Sequence, residues 1–179
     1  MSAGTAMGIS LTTITTDLQL PLGFIHTEPA NEDHAGERTF IYVSIVFGGA
    51  IAGADIAVGN LLAHTLTTTT GSETYADLEL SDDTSGATEA TAMVGASQQA
   101  WTWIDHYPSG AGAGDALFGF VQRTGLAQVL CMAGVLPDRG IGPGATAGQA
   151  DVTVANAASC GYATAGATGL NPVRLYCQG

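Results

Sequence analysis

ALFGFVQRTGLAQVLC, residues 116–131, is the stretch on which the fold turns. Side chains alternate along a strand with period two, so Phe118 and Phe120 share one side of its first half. Leu126, Val129 and Leu130 make the second half equally apolar. Between the halves stands Arg123-Thr124-Gly125, and the glycine supplies the positive φ that a tight connection needs. The pattern predicts two short buried strands joined as a hairpin at Gly125. No catalytic motif accompanies them, so the best-marked element of the chain reads as scaffold.

Working outward, the composition narrows the function classes. The chain has 179 residues, enough for one domain with a terminal arm. A compact chain of that size buries about 70% of its unfolded surface. Only 11% of residues are charged, and no lysine is present. The cations are Arg38, Arg123, Arg139 and Arg174, against 16 carboxylates and a formal charge of −12. Phosphate contacts need Lys and Arg to displace condensed counterions, so nucleic acid is not expected as a partner. An anionic membrane surface is disfavoured for the same reason.

Cys131, Cys160 and Cys177 are odd in number and show no CxxC spacing, which points to a reducing compartment. The opening MSAGTAMGIS lacks the basic and apolar regions of a signal peptide, so synthesis in the cytoplasm without secretory export is expected. Residues 40–63 are long and uncharged enough to raise the question of a membrane span. Asp55 and Asn60 lie inside that segment, and Gly48-Gly49 divides it, which favours two strands over a span.

The strands on either side of the opening stretch follow from alternation. Thr39–Val46 places Phe40, Tyr42 and Ser44 on one face and Ile41, Val43 and Ile45 on the other. A strand apolar on both faces is central or at an interface. Short strands at 151–155, 160–164 and 172–177 are bounded by Gly, Asn or Pro. Many short strands with turn signals between them indicate an all-β fold, a β-sandwich or β-barrel. Residues 87–100 hold the best helix formers and predict at most one short helix. Trp101-Thr102-Trp103-Ile104 reads as a further strand with both indoles on one side.

The first twenty residues form an apolar arm with Ile9, Leu11, Ile14, Leu18 and Leu20 among threonines. Its β-branched residues favour extended structure, and Pro21 closes it. Such an arm pairs with its own sheet or docks on a neighbour, and both outcomes are open. The division expected is residues 1–38 as arm and polar connection and 39–179 as a single β-core domain. Candidate interface residues are the five apolar arm residues together with Trp101, Trp103 and Tyr107, whose aromatic area suits a core or a contact surface.

Candidates for chemistry are few. His26, Glu28, Glu32, Asp33, His34 and Glu37 crowd the polar connection, but neither an EF-hand nor an HExxH pattern orders them, and a solvated loop is expected. The loops 109–115 and 140–144 are rich in glycine but lack the Gly-Lys-Ser/Thr ending of a phosphate cradle, so both read as turns. Asp105-His106 is the one Asp/His pair, with no nucleophile elbow to serve it. The expectation is a protein with no catalytic residues, no cofactor and no metal.

The segment PLGFIHTEPANEDHAGERTFIYVSIVFGGAIAGADIAVG, residues 21–59, resembles the opening of small virion proteins of tailed bacteriophages. The resemblance lies in Leu22-Gly23, an acidic turn with glycine, the aromatic strand Phe40-Ile41-Tyr42-Val43, and the turn Ala50-Ile51-Ala52-Gly53-Ala54-Asp55. Phe118-Gly119-Phe120-Val121-Gln122 followed by Gly125-Leu126-Ala127 is similar to their second aromatic strand and glycine turn. The resemblance implies a capsid decoration (cement) protein: β-rich, oligomeric, and bound to the major capsid protein on the outside of the head, often through a terminal arm. A tail, neck or receptor-binding component using Trp101, Trp103 and Tyr107 is the alternative, and an enzyme around Asp105 and His106 the second.

Overall fold

The fold is given by a computed structural model, which describes residues 5–30, 36–49, 53–64, 75, 78–80, 93–152, 159–166 and 168–177. In chain order the elements are β1 (Thr5–Ala6), β2 (Ile9–Ser10), β3 (Ile25–Glu28), β4 (Arg38–Val46), β5 (Leu61–His64) and β6 (Leu78–Leu80). There follow β7 (Met93–Ala96), α1 (Trp103–His106), β8 (Ala116–Cys131), β9 (Gly140–Pro143), β10 (Ala150–Val152), β11 (Gly161–Ala163) and β12 (Gly169–Tyr176). The fold is all-β with one short helix: a closed barrel of five strands carrying further strands outside it.

The opening stretch departs from the hairpin expected of it. β8 is one strand of 16 residues, and its two halves pair with different partners within one large sheet. The first half pairs antiparallel with β4, from Val46↔Ala116 to Phe40↔Gln122. The second pairs antiparallel with β12, from Tyr176↔Thr124 to Gly169↔Cys131. Between them Thr39 faces Thr124, so Arg123 is an extra residue on β8, a β-bulge that bends the strand. Gly125 does have the positive φ, at 88°. The reason is close approach as well as turning, because a Cβ there would stand 2.4 Å from the Glu37 carbonyl oxygen. The bulge turns one continuous strand from β4 toward β12 without breaking it.

Beyond the bend the barrel closes in the order β10–β9–β11–β12–β8, with β8 returning to β10 through the parallel contact Ala150↔Cys131. Its interior holds Ala127, Val129, Ile141, Val173 and Leu175, along with all three cysteines. Before the bend, β4 is flanked by β3 and β8 and buries both faces as its alternation predicts. Ile41, Val43 and Ile45 join Leu117, Val121 and Trp101 in a second core. Phe40 and Tyr42 join Phe120 in a third, with Tyr42 and Phe120 edge to face at 5.0 Å.

The pair β5–β7 is the wall between two of these cores. Leu61, Ala63, Met93 and Ala96 face the barrel interior, while Leu62 and Val94 face the second core. Here the helix expected within residues 87–100 is overturned where it is described: Met93–Ala96 is a strand. Gly95 lets it cross β8 closely, since a Cβ would lie 2.4 Å from the Gln122 carbonyl oxygen. Tertiary pairing overrides local propensity. Similarly, Gly140–Pro143, read as a turn, is strand β9 inside the barrel wall.

Among the described residues the one helix lies where a strand was expected, at Trp103–His106. The Asp55 carboxylate accepts the Trp103 N–H at 2.9 Å, satisfying one of the unpaired donors that begin a helix. Within residues 40–63, β4 and β5 are strands, as expected, but 53–60 is a loop held by backbone bonds between Ile56 and Trp101. Among the described residues no helix is long and apolar enough to cross a membrane.

Candidate interaction surfaces

The aromatic segment following the Ile56–Trp101 bridge is turned into the protein. Trp101 is fully buried, and its indole N–H donates to Ser97 Oγ at 2.9 Å. Trp103 is also buried; its indole N–H donates to the Ala54 carbonyl at 3.1 Å, and Phe47 packs edge on to it at 5.0 Å. Tyr107 is half-buried, its hydroxyl donating to the Ala116 carbonyl at 2.9 Å. Each polar tip therefore has a partner within the chain, as buried Trp and Tyr require. The three residues brace the start of β8 and offer no exposed aromatic patch.

The N-terminal segment is likewise engaged with its own chain. β1 and β2 form a small hairpin, and Thr15 makes two backbone hydrogen bonds with Phe118 on β8. Ala6, Leu11 and Leu20 are buried against Phe40, Tyr42 and Phe120. Ile9 and Ile14 are half-buried, and Ile14 reaches Gly119, where a Cβ would stand 2.7 Å from its Cδ1. Leu18 points outward at 57% exposure, and so does Met7, at 78%, in the turn between β1 and β2. Of the five apolar residues expected to dock, Leu18 alone is largely exposed; sequence reasoning missed Met7. Its signal was Met7-Gly8, the tip of a short hairpin, where Met7 takes φ 49° and Gly8 φ 86°.

His106 ties this segment to the helix. Its two ring nitrogens lie 3.0 Å from the Thr102 carbonyl and 3.1 Å from the Ile14 carbonyl. Asp105 is exposed and is not the group that orients the ring. The pair is thus not an Asp–His dyad, and the imidazole serves as a tether. Among the described residues no group of His, Cys, Asp and Glu is arranged to hold a metal ion. Of the polar connection, His26 and Glu28 lie on β3, where Glu28 pairs with Arg38 at 2.6 Å; residues 31–35 lie outside the described set.

The cysteines are free thiols sealed in the barrel. Burial pushes the Cys131 thiol up from its ordinary value. The hydrogen bond with Cys177 pushes Cys160 well up, and burial adds to it. A thiol that resists ionisation is a weak nucleophile and a poor ligand, so Cys131 and Cys160 act as small apolar side chains.

Three of the four arginines gather near the bend of β8. Arg38 stacks over Phe40 and lies beside Gly125, and Arg123 donates from Nε to the Cys177 carbonyl at 3.2 Å. Arg174, exposed on β12, passes its guanidinium over Gly36. No protein-family model matches the chain, and no curated protein matches it.

Proposed function

We propose that the chain is a structural protein of a tailed-phage virion, a decoration protein that binds the major capsid protein on the outer surface of the head and stabilises the shell. It is made in the host cytoplasm, works without a cofactor and does no catalysis. The resemblance of residues 21–64 and 116–155 to small phage virion proteins supports this, as does the all-β frame. The observation that carries the docking site is the N-terminal segment, anchored on its own sheet by Ala6, Leu11 and Leu20 while Met7 and Leu18 face outward. An anchored segment has already lost most of its freedom, so docking costs less ordering entropy than a loose arm would.

The test is co-sedimentation of the purified protein with assembled, undecorated phage shells. Binding is expected, and is expected to be lost in a Met7→Asp, Leu18→Asp double variant whose thermal unfolding matches that of the parent. Binding unaffected by both substitutions overturns the assignment of this segment. Particle images with the protein confined to the tail would replace the head with the tail, neck or receptor-binding alternative.

A further inference from the structure

The outer wall of the barrel contains a face that the chain's charge pattern sets apart. β11, β12 and the second half of β8 lie side by side, with Tyr162 directly opposite Arg174 and Arg174 directly opposite Leu126. Residues 161–163, 169–176 and 124–131 contain no carboxylate, although the chain has 16, and Arg174 is their only charged residue. Tyr162 is 51% exposed and Leu126 36%. The rings of Tyr162 and Tyr176 are 5.3 Å apart, and the Tyr176 hydroxyl is hydrogen-bonded to Ser159 Oγ. Among the described residues Arg174 has no ion-pair partner, and Glu37, beside the Gly36 it crosses, is exposed.

We propose that this face pairs with the same face of a second copy about a two-fold axis. A two-fold interface is self-complementary, so one patch must carry both members of each contact. This one does: a cation and an aromatic ring occupy neighbouring positions, and each copy's Arg174 can cover the other's Tyr162. Glu37 at the rim gives the crossing guanidinium a carboxylate. Tyr and Arg with little other charge are the residue types that dominate binding energy at interface centres. Two chains of charge −12 repel over most of their surfaces, and least where carboxylates are absent. The inference deepens the reading of the chain as an oligomeric virion component, but it needs no shell.

The experiment is sedimentation velocity of the purified chain over a range of concentrations. A monomer–dimer equilibrium is expected, weakened by about thirtyfold or more in Tyr162→Ala and in Arg174→Glu. Arg174→Lys should weaken it less, because the charge remains while the planar stacking is lost. Ile104→Asp, on the exposed side of α1, should leave it unchanged. A monomer up to about 0.1 mM overturns the proposal. So does a dimer that survives both weakening substitutions, or a ring built from head-to-tail contacts. A monomer that still binds shells would remove this dimer and leave the capsid reading standing; a dimer that ignores shells would do the reverse.

Discussion

Replacing Gly125 by alanine separates a bent strand that changes partners from an ordinary hairpin turn. Its φ of 88° lies in the region where a side chain costs about 1–2 kcal/mol. A hairpin glycine would lose little more than that. Here the new Cβ also meets backbone: the Glu37 carbonyl oxygen at 2.4 Å and Arg38 Cα at 3.1 Å. Neither can swing aside as a side-chain end would, and the forced shift adds about 1–3 kcal/mol, the usual cost of overpacking. The sum centres on about 3.5 kcal/mol, out of a stability of about 5–15 kcal/mol for a domain. For this chain length that is a fall in Tm of about 7–14 °C. Urea denaturation is the assay, with a lower midpoint and unchanged slope expected. Gly125→Asn isolates the steric part, because asparagine tolerates positive φ but still carries a Cβ. It should recover only the conformational share. An alanine variant that loses under about 1 kcal/mol, or an asparagine variant as stable as the parent, would refute the close approach at the bend.

Two further outcomes follow from the packing. Deleting residues 1–20 removes Ala6, Leu11 and Leu20 from Phe40, Tyr42 and Phe120. The truncated protein should therefore lose several kcal/mol, at about 1.5–3 kcal/mol per buried leucine, and bind an apolar dye such as ANS, instead of leaving an intact core. The native thiols should resist a water-soluble disulfide reagent at pH 8 and react only after unfolding. Because folding pushes the pKa of Cys131 and Cys160 above the ordinary 9.0, their contribution is constant below that pH. It falls as pH rises past it, when the unfolded chain releases protons that the folded chain keeps. Calorimetry across that window reads the loss.

Alternation made β4 legible in full. Ile41, Val43 and Ile45 enter one core and Phe40 and Tyr42 another, because period two alone decides which face a side chain takes. For β8 the composition was legible and the connection was not. A glycine with positive φ is needed both by a hairpin and by a bulge that re-aims a strand, and only the partners of each half tell them apart. β7 was hidden by residues with tolerable helix propensity, and nothing local to Gly95 marks the close crossing it permits. The aromatic candidates failed as a surface for a related reason. Trp101 and Trp103 alternate as a strand would, yet Asp55, 48 residues away, caps a helix turn there, and such a contact leaves no local trace.

The bend at Arg123–Gly125 also links the two proposed surfaces. Before it, β8 presents Phe118 and Phe120 to the N-terminal segment that carries Met7 and Leu18. After it, β8 presents Leu126 on the face that carries Arg174 and Tyr162. Both surfaces are thus mounted on one continuous strand, and its angle sets how a second copy would sit relative to a shell. The angle has little freedom. β5–β7 packs on both sides of the corner, Gly95 brings β7 against Gln122, and Gly125 lies against the Glu37 backbone. Close-packed interiors transmit strain instead of absorbing it. Rigidity at this corner is what a protein needs if it must meet a copy and a shell at once, because simultaneous contacts reinforce one another only when the geometry lets both form. The strand that decides the fold is in this sense also the part that orients its contacts.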